Sequence, residues 1–315
     1  MKPTLLVTRR LPDAVLAALD ARFAMTLRDE TTPLTVDEAA AALAGYDAVL
    51  PTLGDGFRAP AFAAPPRAKI LANFGVGYNH IDVAAAKAAG VTVTNTPGAV
   101  TDATADIAVM LMLMAARRAG EGERLVRSGR WGGWQPTQML GLHVSGKTVG
   151  IIGMGRIGRA IARRCHFGFG MDVIFHNRSA VDPGLPAQQV GTLAEAMAAD
   201  VVIVAVPGGP ATHHLIGAAA LAAMRPHAVF VNISRGDVVD EAALTDALER
   251  RAIGAAGLDV YEFEPAVPER LRALENAVLL PHLGTNALEV RTGMGMMALD
   301  NLVAFFEGRP VPNPV

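Results

Sequence analysis

Cysteine is almost absent from the chain, because Cys165 is the only one among 315 residues. An internal disulfide needs a second cysteine and a cysteine-based metal site needs several, so both are excluded. We predict no metal centre, and so little cysteine is typical of proteins in the reducing cytoplasm. Cys165 lies in a predicted helix, where we expect it to pack rather than to act as a nucleophile.

Long apolar runs and an excess of basic charge are also missing. The longest apolar stretches, such as Ala108–Ala116 and Val201–Val206, are too short to cross a bilayer. The first turns, which hold Arg9 and Arg10, lack the apolar region of a signal peptide. Lysine and arginine number 28 against 30 acidic residues, with no basic block, so we expect no nucleic acid and no membrane as partner.

What is present is an alternation of strand and helix patterns. In the first hundred residues, short apolar runs predict buried strands, and the capping-box spacing of Thr35 and Glu38 and an N-cap at Asp82 predict helix starts. These runs are Leu5–Thr8, Asp47–Pro51, Lys69–Asn73 and Val91–Thr94. The segment predicts a small parallel α/β domain.

The rest of the chain predicts a second, larger domain. A helix over Thr101–Arg118, apolar nearly all round, must be buried between domains or between subunits. The irregular segment Gly129–Pro136 holds both tryptophans, which suggests a surface that becomes covered. Further alternation predicts a doubly wound sheet of about six strands. A helix from about Ala287 through Phe306 is expected to return to the first domain, giving a substrate domain of 1–98 plus 287–315 and a dinucleotide domain of 99–286.

The stretch Lys147–Arg164 carries the strongest motif in the sequence. A short apolar strand is followed by Gly153, Gly155 and Gly158 in a G-x-G-x-x-G pattern, and then by a helix. The first glycine permits a tight turn, the second lets a pyrophosphate approach the backbone, and the third lets helix and strand pack closely. The strand before it and the helix after it are the context that a dinucleotide site requires.

The residues after the next strand indicate which dinucleotide is bound. An NAD enzyme usually ends this strand with a carboxylate that holds the ribose 2′-hydroxyl, but here Asn177, Arg178 and Ser179 follow it. A carboxylate would repel a 2′-phosphate, whereas an arginine beside two polar side chains offers it charge and hydrogen-bond donors. We therefore predict NADP(H) rather than NAD(H), the alternative being a solvated loop arginine.

Polar residues follow the last three predicted strands, at the edge where ligands bind in such sheets. They are Arg235, Glu264 and His282, with Glu262 as a competitor of Glu264. A guanidinium can pair with the carboxylate of a 2-oxo acid, and a histidine can protonate its carbonyl oxygen. A carboxylate behind the histidine fixes its orientation and favours its protonated form.

Two other features have weaker interpretations. In the loop Asn73–Asp82, glycines leave the amides of Val76 and Gly77 accessible, so the loop could hold a substrate carboxylate or be a simple turn. His213 and His214 precede a helix, where we expect a surface role.

Together, the loop at 73–82, the glycine turn, Asn232–Asp237, Gly257–Pro265 and Pro281–Thr285 resemble the D-isomer-specific 2-hydroxyacid dehydrogenase family along essentially the whole chain. The resemblance implies a Rossmann-like doubly wound sheet, a smaller flavodoxin-like α/β substrate domain, and a homodimer formed through the nucleotide domain. It selects Glu264 over Glu262 as the partner of a catalytic His282.

The resemblance also implies a set of ligand contacts. For substrate these are Leu53, Val76, Gly77, Arg235 and, from a partner subunit, Trp134. For cofactor they are Thr104, Gly153, Gly155, Arg156, Ile157, Gly158, Asn177, Arg178, Ser179, Val206, Pro207, Thr212, Ile233, Asp259, His282 and Gly284.

The Asn-Arg-Ser segment, the tryptophan loop and the length are similar to the glyoxylate/hydroxypyruvate reductase branch. The expected activity is NADPH-dependent reduction of glyoxylate to glycolate and of hydroxypyruvate to D-glycerate. Two alternatives stay open: a reductase of 2-ketogluconate or another 2-oxo acid, and a binding protein that senses dinucleotides.

Overall fold

The computed structural model describes all residues from Met1 to Val315. The chain divides into two compact units, one of residues 1–100 with 285–315 and one of residues 101–284. The domain boundaries expected from the sequence fall after residue 98 and before residue 287. None of the helices combines the length and the apolar character needed to cross a membrane.

The first unit is built on a five-stranded sheet with the order β2-β1-β3-β4-β5, in which every pair is parallel. This is the flavodoxin-like order. Its strands are β1 (Thr4–Val7), β2 (Ala24–Leu27), β3 (Ala48–Leu50), β4 (Ile70–Ala72) and β5 (Thr92–Thr94). Its helices are α1 (Asp13–Arg22), α2 (Val36–Gly45) and α3 (Val83–Ala88), with a 3₁₀ turn at Ala59–Phe62.

The second unit carries a seven-stranded, fully parallel sheet with the order β12-β11-β10-β9-β6-β7-β8. The strands are β6 (Thr148–Ile152), β7 (Asp172–His176), β8 (Gln188–Gln189), β9 (Val201–Val204), β10 (Val229–Asn232), β11 (Ala255–Leu258) and β12 (Ala277–Leu279). The chain reverses its direction of strand addition between β6 and β9, which is the switch point where doubly wound sheets bind ligands.

The helices of the second unit lie on both faces of this sheet, where two apolar cores are buried. They are α4 (Thr101–Ala116), α5 (Ala119–Arg127), α6 (Arg156–Arg163), α7 (Leu193–Met197), α8 (Ala218–Ala222), α9 (Glu241–Glu249) and α10 (Glu269–Arg272), with a π-turn at Arg164–Gly168 and a 3₁₀ turn at Gly236–Val238. The final helix α11 (Leu288–Phe306) belongs to the first unit and packs Leu299 and Leu302 into its core.

Local signals in the sequence explain several helix starts. The Thr35 hydroxyl accepts the amide of Glu38 and the Glu38 carboxylate accepts the amide of Thr35, as the capping-box spacing predicts. The N-cap expected at Asp82 also forms, and the Asp240 side chain caps α9 in the same way. Cys165 is fully buried in a core, and burial raises the pKa of its thiol to about 12, as expected of a packing residue.

Some boundaries were wrong. The edge strands β2 and β8 were not predicted. No glycine or proline separates β2 from α1, and β8 consists of two glutamines. The long helix ends at Ala116, because Arg118 adopts a left-handed backbone with φ of 53° before α5 begins.

Gly150 tests the packing of β6 against its neighbours. A Cβ at Gly150 would lie 2.1 Å from the carbonyl oxygen of Ala196, so Gly150→Ala should lower the free energy of unfolding by roughly 1–3 kcal/mol. The matched control is Gly122→Ala in α5, where the Cβ would meet only the Cε of Met139 at 3.6 Å. Helix propensity predicts that this control gains about 0.5–1 kcal/mol. Urea unfolding followed by circular dichroism measures both, and equal midpoints would contradict the packing argument.

Candidate active site

The polar residues expected at the sheet edge follow three adjacent strands. Arg235 comes after β10, Glu264 after β11 and His282 after β12, and these strands are neighbours in the order β12-β11-β10. Because all strands run parallel, their carboxyl ends share one edge, and the loops that carry these side chains begin there.

His282 and Glu264 form a direct pair. The Nδ1 atom of His282 lies 2.9 Å from Oε2 of Glu264, and both side chains are about one-third exposed. Burial alone would raise the pKa of Glu264, but the hydrogen bond and charge of His282, the Tyr261 amide and the charge of Arg235 together lower it below its ordinary value. Glu264 is therefore a carboxylate that orients the imidazole, and Nε2 of His282 has no hydrogen-bond partner within the chain.

The backbone at His282 is held in an unusual conformation. Its φ is +56°, a left-handed value that costs a non-glycine residue about 1–3 kcal/mol. The His282 amide donates to the carbonyl of Asp259 at 3.0 Å, which fixes this conformation from the neighbouring strand end. The strained residue is the one whose side chain is paired with Glu264.

Asp259 organises the rest of that loop. It is 1% exposed, and its two carboxylate oxygens accept the amides of Leu283 at 2.6 Å and of Gly284 at 2.8 Å. Burial raises the pKa of Asp259, while those amides and the charge of His282 act in the opposite direction. Asp259 thus positions the loop that bears His282, and a contact of Asp259 with the cofactor stays a prediction.

Arg235 is half-buried on a loop that is fixed by its neighbours. The side-chain amide of Asn232 donates to the Arg235 carbonyl at 3.0 Å, and the Ser234 hydroxyl donates to the carbonyl of Val206. Burial lowers the pKa of the guanidinium, while the charges of Glu264 and Asp237 raise it. An arginine stays protonated despite such a shift, so the site holds a fixed, poorly hydrated cation.

Glu262 has a partner of its own, which sequence reasoning missed. Its Oε1 lies 2.8 Å from Nε2 of His214, and its amide donates to the carboxylate of Glu241. The two acidic residues before Pro265 therefore serve different histidines, which separates Glu262 from Glu264. His214 is exposed, in line with the expected surface role, and no pattern along the sequence connects it with Glu262.

The glycine turn fits a dinucleotide phosphate. Gly153 has φ of +99°, and a Cβ at Gly158 would lie 2.0 Å from the Gly153 carbonyl oxygen, so the turn and the packing of α6 both demand glycine. A Cβ at Gly155 would meet nothing within 4 Å, so space is open beside it. Gly155 is also the N-cap of α6 and offers no side-chain cap, which leaves the first helical amides, including those of Arg156 and Ile157, for an anion.

The Asn-Arg-Ser segment is tied to that turn. The Asn177 side chain accepts the amide of Met154 at 3.3 Å and donates to the Ser179 carbonyl at 2.9 Å. Arg178 is exposed and its guanidinium has no ion pair or hydrogen bond within the chain. The structure therefore holds a free cation on a loop fixed beside the glycine turn.

The other predicted cofactor residues lie at strand ends of the same sheet or support them. Val206 and Pro207 follow β9, Ile233 follows β10, and the Thr212 hydroxyl donates to the Pro207 carbonyl at 2.7 Å. Thr104, in α4, is buried and donates its hydroxyl to the Gly284 carbonyl at 3.1 Å.

In the first unit, the loop after β4 presents free amides. The side-chain amide of Asn73 donates to the carbonyls of Gly75 and Gly77, both at 3.0 Å, and that of Asn95 donates to the carbonyl of Val76 at 2.9 Å. The amides of Val76 and Gly77 have no acceptor within the chain. Two asparagines therefore hold the loop by its carbonyls and leave its amide donors available. The glycine spacing alone could not reveal these asparagine contacts.

Two predicted substrate residues are exposed in the isolated chain. Leu53, which follows β3 in the first unit, is 38% exposed. Trp134, in the irregular segment of the second unit, is 81% exposed, and a partner subunit would have to cover it for the expected role.

Comparisons with known proteins show which family the chain is similar to. Residues 109–284 match the family model described as D-isomer specific 2-hydroxyacid dehydrogenase, NAD binding domain. The chain is 41% identical over 320 residues to the glyoxylate reductase of Korarchaeum cryptofilum and 40% identical over 322 residues to that of Thermococcus onnurineus, covering all of this chain and 96% of each relative. The solved structure of an NADPH-dependent glyoxylate/hydroxypyruvate reductase from Sinorhizobium meliloti, in complex with NADP and malonate, superposes with a TM-score of 0.89 at 37% identity, over 100% of this chain and 97% of that one.

The structure has a parallel doubly wound sheet, a glycine turn suited to a nicotinamide dinucleotide, and a paired histidine and glutamate at the same sheet edge. Since the chain is also similar to the relatives named above over its full length, it belongs to the D-isomer specific 2-hydroxyacid dehydrogenase family.

Proposed function

We propose that the protein reduces small 2-oxo acids with NADPH, taking glyoxylate to glycolate and hydroxypyruvate to D-glycerate. The observation that carries the proposal is the His282–Glu264 pair, with Nδ1 to Oε2 at 2.9 Å, on a strand end next to the one that leads to Arg235. The names of the similar glyoxylate reductases support the choice of substrates.

Each residue has a definite task in this reaction. Arg235 pairs with the substrate carboxylate and polarises its carbonyl. The free amides of Val76 and Gly77 are donors of the kind that a carboxylate accepts. A bound nicotinamide dinucleotide supplies the hydride for the carbonyl carbon. Protonated His282 donates its Nε2 proton to the carbonyl oxygen, and the Glu264 carboxylate holds the imidazole by Nδ1 throughout.

Support for NADPH over NADH comes from the loop after β7. Arg178 is exposed and unpaired beside the glycine turn, and no carboxylate ends the strand to repel a 2′-phosphate. A charge-assisted hydrogen bond is worth about 1.5–3 kcal/mol, enough for a preference of roughly tenfold to a hundredfold.

We further propose that two copies associate through the second unit. A groove of about 530 Å³ runs along α4 and is lined mostly by apolar side chains, including Val109, Met110, Leu113 and Phe169. Met110 is 36% exposed in the isolated chain. A second copy would cover this apolar face, and it is also the source of the Trp134 expected at the site.

The proposed activity is tested by the loss of reduced-nicotinamide absorbance with glyoxylate, hydroxypyruvate, pyruvate and 2-ketogluconate, each with NADPH and with NADH. Fast turnover of the two small acids with NADPH is the expected result. Turnover of 2-ketogluconate alone would change the assigned substrate but leave the proposed mechanism in place. No turnover with any acid, alongside tight cofactor binding, would favour a dinucleotide-sensing protein.

Arg178→Ala is the companion variant for the cofactor. It should raise the KM for NADPH roughly tenfold or more while leaving the NADH reaction unchanged. Arg250→Ala, which removes another exposed arginine of the same unit, is the control. Equal efficiency of NADH and NADPH in the unaltered protein would refute the predicted preference.

His282→Ala should lower kcat by roughly 10²–10⁴-fold, because a positioned acid contributes about that much to proton transfer. His143→Ala removes an exposed histidine and should leave kcat unchanged. Steady-state kinetics at saturating cofactor measures both variants, and near-normal turnover by His282→Ala would remove His282 from the mechanism.

Glu264→Gln keeps a hydrogen-bond partner for Nδ1 but removes the negative charge that favours the protonated imidazole. Reduction needs that proton. As the pH is raised, the rate of the variant should therefore begin to decline at a lower pH than the rate of the unaltered protein. The pKa of Glu264 is lowered, so in the unaltered protein this side chain stays ionised at pH values below the ordinary range for glutamate. Its negative charge is therefore present beside His282 over that whole pH range. Identical pH profiles of kcat would show that the charge does not act on the reaction.

A further inference from the structure

A fully buried carboxylate lies beneath the loop that follows β3. Asp55 is 0% exposed, and its oxygens accept the Thr8 hydroxyl at 2.6 Å, the Thr52 amide at 2.8 Å and the Leu34 amide at 2.9 Å. These donors come from three segments of the first unit, so Asp55 joins the ends of β1 and β3. The loop from Thr52 to Asp55 is built around this side chain.

Arg9, the residue after Thr8, lies against the same loop. Its Nη2 donates to the carbonyl of Leu53 at 3.0 Å but is 3.6 Å from Oδ1 of Asp55. At 3.6 Å, Arg9 and Asp55 form an ion pair but not a good hydrogen bond. Both oxygens of Asp55 already accept hydrogen bonds from uncharged donors. The short contact of the guanidinium is therefore with the Leu53 backbone.

Apart from this contact with Arg9, the Leu53 peptide makes no hydrogen bond within the chain. It precedes Gly54, which turns the chain with φ of +91°, and the Leu53 side chain is 38% exposed. The segment that leads to Leu53 is linked to the amide-bearing loop after β4, because the Phe74 amide donates to the carbonyl of Pro51, two residues before Leu53, at 2.9 Å. Both loops begin at the carboxyl edge of one sheet, since β3 and β4 are neighbours.

We propose that Arg9 is a positioning residue for substrate specificity, holding the Leu53 carbonyl so that the Leu53 side chain contacts the substituent on the carbonyl carbon of the 2-oxo acid. This inference rests on the proposed function. Arg9 does not touch substrate; it acts through Leu53. The guanidinium suits the task because its planar fork can face the Leu53 carbonyl and Asp55 together, which a lysine ammonium cannot do equally well.

The two proposed substrates separate this role from a purely structural one. Glyoxylate carries only hydrogen where hydroxypyruvate carries a hydroxymethyl group, so only hydroxypyruvate has a substituent for Leu53 to contact. A misplaced Leu53 should affect hydroxypyruvate and spare glyoxylate. General damage to the fold would lower both activities together.

The experiment measures kcat and KM for both acids with NADPH in Arg9→Met, Arg9→Lys and Leu53→Ala. In Arg9→Met, the ratio of kcat/KM for hydroxypyruvate to that for glyoxylate should fall roughly tenfold, mainly through KM. Arg9→Lys, which keeps the charge near Asp55 and guards against a variant that fails to fold, should give an intermediate ratio. Leu53→Ala should reproduce the change, and the double variant with Arg9→Met should add little to it.

The matched control is Arg10→Met, because Arg10 is exposed and paired only with exposed Asp29 at 2.6 Å. Its ratio should equal that of the unaltered protein. An unchanged ratio in Arg9→Met, or an equal loss for both acids, would overturn the positioning role while leaving the proposed function intact. Absence of turnover with both acids in the unaltered protein would refute the proposed function, and this inference with it.

Discussion

The constraint on which the structure depends is that every strand of each sheet runs parallel to its neighbours. Parallel strands need a crossover for each connection, so all the carboxyl ends of a sheet meet at one edge and all its amino ends at the other. Residues as distant in sequence as Gly153 and His282 are therefore brought to one edge of the second unit without any direct bond between them. In the first unit the same rule places Leu53 and Val76 at the ends of adjacent strands.

Loops at such an edge have no ladder to hold them, and each unit solves this problem with a buried carboxylate. Asp259 accepts the amides of Leu283 and Gly284, and Asp55 accepts donors from the segments around it. Multiple hydrogen bonds to a carboxylate compensate for its loss of hydration, which a single bond would not do. The side chains proposed to bind ligand are thus carried on loops whose backbones are anchored by charge rather than by apolar packing.

The sequence predicted the parts of the molecule that local patterns control. Apolar runs located the central strands, a capping box located α2, and the glycine turn was predicted from its spacing. The edge strands β2 and β8 were missed because β2 follows α1 without a glycine or proline between them and β8 is a pair of glutamines. The His214–Glu262 pair and the asparagine contacts that free the Val76 and Gly77 amides were missed for another reason. They join residues that only the tertiary fold brings together, and no spacing along the chain encodes them.

The glycines of the phosphate turn differ in what requires them. Gly153 and Gly158 are demanded by the chain itself, since a Cβ at either would press on backbone atoms closer than 3 Å, whereas Gly155 borders open space. Folding therefore requires the first and third glycines, and under the proposed function only cofactor binding requires the second. A lineage that lost its cofactor would be free to drift at position 155 while its fold kept the other two. A residue other than glycine at position 155 of such a relative would therefore indicate that cofactor binding had been lost while the fold remained stable.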